Sequence, residues 1–100
     1  MYYKTYIINF DKGGITDTFD YKKFHDTLTT ANGIISWWHY IESSYIIATS
    51  MTVTATNVSD FIMQHMPNKH FFVSELNLNN HNGWLPKEAW DWINKYKITQ

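Results

Sequence analysis

Asp11 is the acid whose placement most invites chemistry. It follows Tyr6-Ile7-Ile8-Asn9-Phe10, an apolar run that reads as a strand, and precedes Lys12-Gly13-Gly14, which reads as a turn. A carboxylate at such a junction is exposed to solvent yet held by a rigid element. There it can bind Mg²⁺ or Mn²⁺ through oxygen, the ion keeping several of its waters. One carboxylate per chain makes a sparse site. A two-fold axis that brings two copies of Asp11 together would double the ligands and suit phosphodiester chemistry. The alternative is structural: an aspartate that opens a turn bonds its own backbone.

The histidines are His25, His39, His65, His70 and His81, and no HExxH or other close metal-ligand spacing links them. His39, between Trp38 and Tyr40, is the best placed for a proton donor or phosphate contact. Its alternative is that of His65, a partly buried ring with a hydrogen-bond partner. Trp37, Trp38 and Tyr40 offer aromatic faces on which bases can stack. The chain contains no arginine, however, and few lysines flank these rings, so core or oligomer interface is the favoured role. Trp92 cannot share the helical stripe of Trp90 and Ile93 and is free to pack on a partner chain. Gly13-Gly14 lacks a following helix to cradle a phosphate, and no P-loop or GxSxG signature is present.

Composition narrows the classes further. Of the 100 residues, 44% are hydrophobic, 18% aromatic and 17% charged, which suits a packed domain and excludes disorder. The formal net charge of −1 excludes a basic nucleic-acid packager. Without cysteine there is no disulfide framework, thiol nucleophile or cysteine-based zinc site. The N-terminal segment lacks the cationic start and long apolar stretch of a signal peptide, and no apolar run reaches a membrane-spanning length. The chain is therefore expected to be cytoplasmic and away from membranes.

The elements that would hold these residues follow from periodicity. Residues 2–10 carry apolar groups on both parities, as a strand covered on both faces does. Asp20 caps a helix with Tyr21, Phe24, Leu28 and Ala31 on one face, and Asn32-Gly33 stops it. Ile34 to Ile41 is a second strand, with Ile35, Trp37, His39 and Ile41 opposing Ile34, Ser36, Trp38 and Tyr40. Glu42-Ser43-Ser44 turns it into an antiparallel strand over Tyr45 to Thr49. Thr52 to Thr56 either extends that strand or leads into a helix from about Asn57, which Pro67 ends. Lys69 to Leu78 is a fourth strand, Asn79 to Gly83 a polar turn, and a last helix runs from about 85 to 96.

The order β-α-β-β-α-β, in one domain over 1–100 with a core over about 2–78, predicts a ferredoxin-like α+β sandwich with an added C-terminal helix. One sheet face needs a cover, from that helix, from a second protomer, or from both.

The segment Ile35-Ser36-Trp37-Trp38-His39-Tyr40-Ile41-Glu42-Ser43-Ser44-Tyr45-Ile46-Ile47 resembles the hairpin of small bacterial and phage proteins labelled "SinR family", which are unlike the helix-turn-helix repressor of that name. The opening Tyr6-Ile7-Ile8-Asn9-Phe10-Asp11 is similar to their first strand, and the resemblance spans roughly residues 3–78. That group is similar in fold to the second CRISPR-associated protein and to VapD-type ribonucleases. The resemblance implies a homodimer and a setting of mobile elements or host defence. It also implies that Asp11 matches a strand-end aspartate near the dimer axis, tied to Mg²⁺- or Mn²⁺-dependent nuclease activity. The absence of arginine and of net positive charge departs from those nucleases. Two functions stand from this reading. One is a dimeric interaction module without a firm catalytic role, with Trp37, Trp38, His39, Tyr40 and Trp92 at its contacts. The other is a metal-dependent nuclease of RNA or DNA through paired Asp11 residues.

Overall fold

The computed structural model describes residues 3–13, 17–78 and 81–96; Tyr2, Gly14, Asn79 and Asn80, assigned above to a strand and two turns, lie outside them. The order is β1 (Lys4–Phe10), α1 (Tyr21–Thr29), β2 (Ile34–Ile41), β3 (Ser44–Thr49), α2 (Ala55–His65), β4 (Phe71–Leu76) and α3 (Lys87–Tyr96). The strands make one sheet in the order β2-β3-β1-β4, with every neighbouring pair antiparallel. An α+β chain with this antiparallel sheet and three helices is compatible with a ferredoxin-like fold. Among the described residues no helix is long and apolar enough to cross a membrane.

α1 and α2 cover one face of the sheet and α3 covers part of the other, which is why β1 and β3 carry apolar groups on both parities. On one face Tyr6, Ile8, Phe10, Tyr45 and Ile47 pack against Phe24 and Leu28 of α1 and Val58 and Ile62 of α2. On the other face Trp38 and Ile46 pack against Leu78 and against Ala89 and Ile93 of α3. The C-terminal helix thus lies on its own sheet. β3, between β2 and β1, is buried along its whole length.

Local chemistry sets the ends of the helices. The Asp20 carboxylate accepts the Lys23 N–H at 3.0 Å and opens α1. α2 starts at Ala55, two residues before the periodicity places it. Thr54 accepts the Asn57 N–H at 3.1 Å, and the Asn57 side chain accepts the Thr54 N–H at 2.9 Å. That reciprocal cap fixes the start and makes the preceding threonines a loop. Gly33 closes the turn into β2 at φ +89°, and a Cβ there would sit 3.1 Å from Val53 Cγ2. Gly33→Ala is expected to lose about 1–2 kcal/mol from the left-handed backbone alone, read from urea melts.

The simple alternation expected for β2 fails at one end. Ile34 pairs with Thr49 and Ser36 with the next residue, Ala48, so Ile35 is an extra residue in the strand. The bulge swings Ile34 to the α1/α2 side, where it packs against that core instead of joining Trp38. β4 is also shorter than the expected Lys69 to Leu78. Lys69 closes the turn after α2 through its N–H to Met66, and Leu78 turns into the core under α3.

Candidate functional site

Three chain segments converge where β1 ends. The Phe10 N–H donates to the Ser43 carbonyl at 3.0 Å, and the Asp11 N–H donates to the His70 carbonyl at 2.9 Å. The β2–β3 hairpin and the start of β4 therefore clamp the end of β1 from both sides. Asp11 is exposed, and the antiparallel ladder sets it directly beside His70, also exposed. Lys12 forms an ion pair with Glu42 of the hairpin, and its ammonium lies 5.1 Å from the centre of the Tyr21 ring. Phe10, Asp11, Lys12, Gly13, Glu42 and Ser43 line an open hollow of about 400 Å³.

His39 reaches this end from β2. Its Nε2 lies 2.9 Å from the Glu42 carbonyl, which can only accept, so Nε2 carries the proton and donates. The ring stacks on Tyr45 at 3.9 Å between centroids and 17° between planes. Burial, reinforced by the Lys12 charge, lowers its pKa and leaves the ring neutral at pH 7 with a bare Nδ1. The Tyr45 hydroxyl shares a 2.8 Å hydrogen bond with His25 Nδ1. Burial first, and then the Asp26 charge, pushes Tyr45 up to about 12, so it remains a phenol across the physiological range.

The aromatic residues nominated from sequence do not gather at one place. Trp38 is 3% exposed under α3, with its indole N–H buried and unpartnered. Trp92 lies half-buried on the same face and donates its indole N–H to Ser36 Oγ at 2.8 Å. Both rings are thus held within the protomer. Trp37 is partly exposed on the opposite face and meets His25 edge-on at 4.7 Å. Tyr40 is 44% exposed and leans on Trp38. His39 belongs to the hairpin itself, and Asp11 lies at the end of β1 beside the hairpin turn, in a hollow that His39 does not line.

A second feature of this end is apolar. Ile41 pairs with Ser44, Ser44 with Asn9, and Asn9 with Phe72, which makes one row across all four strands. A hydrogen bond from Ser44 Oγ to Asn9 Oδ1 links its middle. By parity the row lies on the face that α3 covers elsewhere, beyond the Trp38–Ile46–Ile7 row on which the helix packs. Ile41 is 49% exposed and Phe72 64%.

Sequence reasoning missed the most heavily bonded carboxylate. Asp17 accepts the Gly13 N–H at 3.0 Å, the Phe19 N–H at 3.0 Å, the Tyr21 hydroxyl and Lys69 Nζ at 2.7 Å. Its bonds to Gly13, Phe19 and Tyr21 lie within four positions, and the Asp17-Thr18-Phe19 turn is the one with a sequence signature. Lys69, which supplies the charge, is 52 positions away. His70 beside Asp11 likewise emerges only from the β1–β4 register.

Among the described residues no three His, Cys, Asp or Glu side chains gather as a metal site. A hard divalent cation at this hollow would meet the Asp11 carboxylate and that of Glu42, which already pairs with Lys12, so a fuller ligand set requires two chains. Comparison with protein-family models, with curated proteins and with solved structures finds no match.

Proposed function

We propose that this chain is a small, self-associating interaction module of ferredoxin-like fold, acting by binding through the sheet end where β1 stops. Its setting, on the resemblance of the β2–β3 hairpin, is that of mobile elements or host defence. The strand order β2-β3-β1-β4 and the element order β-α-β-β-α-β support the fold, since two split βαβ units interleave in this way. The observation that carries the function is the exposed row of Ile41 and Phe72, with Tyr40 beside it, on a sheet face that α3 covers only in part. Ile41 and Tyr40 at one edge of the sheet and Phe72 at the other leave apolar surface open on the same face. Asn9, exposed in the middle of the row, supplies a polar contact. Static light scattering over a concentration series tests this reading. The apparent mass should rise toward twice that of the chain, and a mass that stays monomeric throughout would overturn self-association.

A second reading rests on Asp11, whose exposed position at a clamped strand end suits a metal-dependent nuclease. In that reading two chains place their Asp11 carboxylates around one Mg²⁺ or Mn²⁺. It requires Mn²⁺ affinity that disappears in Asp11→Ala, measurable by titration calorimetry. The binding reading expects equal, weak heats from the two proteins.

A further inference from the structure

The two edges of the sheet are built differently. β2 is interrupted between Ile34 and Ser36 and again between Trp38 and Ile41, and such irregularities blunt an edge against strand addition. β4 runs Phe71-Phe72-Val73-Ser74-Glu75-Leu76 in unbroken register with β1, without proline or lysine. The Asp11 N–H to His70 carbonyl bond sets the phase of that ladder, because bonded and non-bonded pairs alternate. His70, Phe72, Ser74 and Leu76 therefore bond to β1. Phe71, Val73 and Glu75 turn their N–H and C=O groups outward. β4 ends the strand order, and no backbone group among the described residues bonds to those three. Ser74 Oγ makes a long 3.3 Å contact on the Glu75 carbonyl, whose second lone pair stays open.

We propose that this edge pairs with the β4 edge of a second copy, antiparallel, about a two-fold axis through Val73. The inference rests on the self-associating reading and places its interface at the Phe72 end of the exposed row, whereas Ile41 and Tyr40 lie on β2 at the opposite edge of the sheet. The strand is its own complement in this register. Val73 faces its counterpart, Phe71 of each chain faces Glu75 of the other, and every outward N–H and C=O finds a partner. Moving the axis by one residue leaves either Phe71 or Glu75 opposite a residue outside β4. The one carboxylate of the strand meets an aromatic ring and not its like. Phe72 of each chain sits opposite Ser74 of the other and diagonal to its counterpart, within reach of an aromatic ring. That explains an aromatic ring 64% exposed on an edge strand. The two sheets become continuous, with α3 on the same face of both. An edge contact of this length falls below the roughly 1,200 Å² of a standard stable interface, so the dimer dissociates on dilution.

Amide hydrogen exchange above and below the dissociation range tests this residue by residue. On concentration the Phe71, Val73 and Glu75 amides should slow, whereas those of Phe72 and Ser74, bonded to β1, stay protected at both concentrations. Sedimentation velocity supplies the second readout. Val73→Pro removes one outward N–H at a position where an edge tolerates proline, and it should be monomeric with an unchanged circular dichroism spectrum. Phe72→Lys keeps every N–H and should weaken association by about tenfold or more, a loss of about 1.4 kcal/mol. Ile35→Lys, on the β2 edge, should associate as wild type does. If wild type is monomeric at every concentration, self-association and this interface fall together. If wild type dimerises while the alternating protection is absent and Phe72→Lys dimerises equally well, this interface alone is overturned. Those two readouts decide between the outcomes even if Val73→Pro fails to fold.

Discussion

Trp38→Ala is expected to destabilise the protein by about 3–5 kcal/mol, the range for truncating a large buried aromatic ring. Trp38 is 3% exposed and packs with Ile46, Leu78, Ala89 and Ile93, so the lost ring is what seats α3 on the sheet. The loss should be local as well as global. Amides in the second half of α3 should exchange faster in Trp38→Ala, with those of β1 and β3 retaining more of their protection. Trp38→Phe should lose less than half as much. It keeps a ring against α3, whereas both variants remove an indole N–H that is buried without a partner. An unsatisfied buried donor costs about 1–3 kcal/mol, so its removal offsets part of the loss. Urea melts of the two variants decide the point. Equal losses would mean that a phenylalanine ring restores none of the packing under α3, and unchanged α3 exchange in the alanine variant would mean that other residues hold the helix.

The second large effect is expected at Asp17, which ties the β1–α1 loop to the start of β4. Lys69 first, and then the Tyr21 hydroxyl and the Phe19 N–H, hold its carboxyl well below the usual carboxylate range. The Lys69 ammonium also lies 5.6 Å from the Phe19 ring centre and 5.3 Å from that of Tyr21. Asp17→Ala leaves this cation over two rings without its counter-charge and frees the Gly13 end of the loop. The melting temperature should fall by several degrees, well beyond the change from Asp91→Ala, which breaks only an exposed pair with Lys87. Adding Lys69→Met should recover part of the loss, because the uncompensated charge is then gone. The pH dependence has a definite sign. A carboxyl depressed in the folded state contributes fully above its ordinary value of 3.8, and the contribution drains away as the pH falls below it. The stability gap between wild type and Asp17→Asn should therefore narrow on acidification from pH 5 to about pH 2. A gap that widens would contradict the assignment.

Much of the architecture could be read from local chemistry. The 34–41 strand, the Asp20 cap and the order of strands and helices follow from runs, caps and turns within a few residues of one another. What escaped the sequence involves contacts between distant segments. The bulge at Ile35 moves Ile34 to the other face, a choice made by the Thr49 and Ala48 register and not by the alternation of β2 itself. Trp92 falls off the Trp90 stripe, yet Ser36 in β2 gives its indole N–H a partner within the protomer. The start of α2 shifted because Asn57 closes a capping box, a position more often held by Glu or Gln. Asp11 could be singled out as a strand-end acid, whereas its neighbour His70 depends on strand pairing. The Asp17–Lys69 pair was invisible for the same reason.

The proposed function stands on a molecule that binds and does not cut. A cleavage assay on single-stranded RNA and on single- and double-stranded DNA with Mg²⁺ or Mn²⁺, wild type beside identically purified Asp11→Ala, decides between the two. Both proteins are expected to leave every substrate intact, or to share the same trace of contaminating activity. Metal-dependent cleavage by wild type that Asp11→Ala lacks would contradict the binding function and make Asp11 a catalytic ligand.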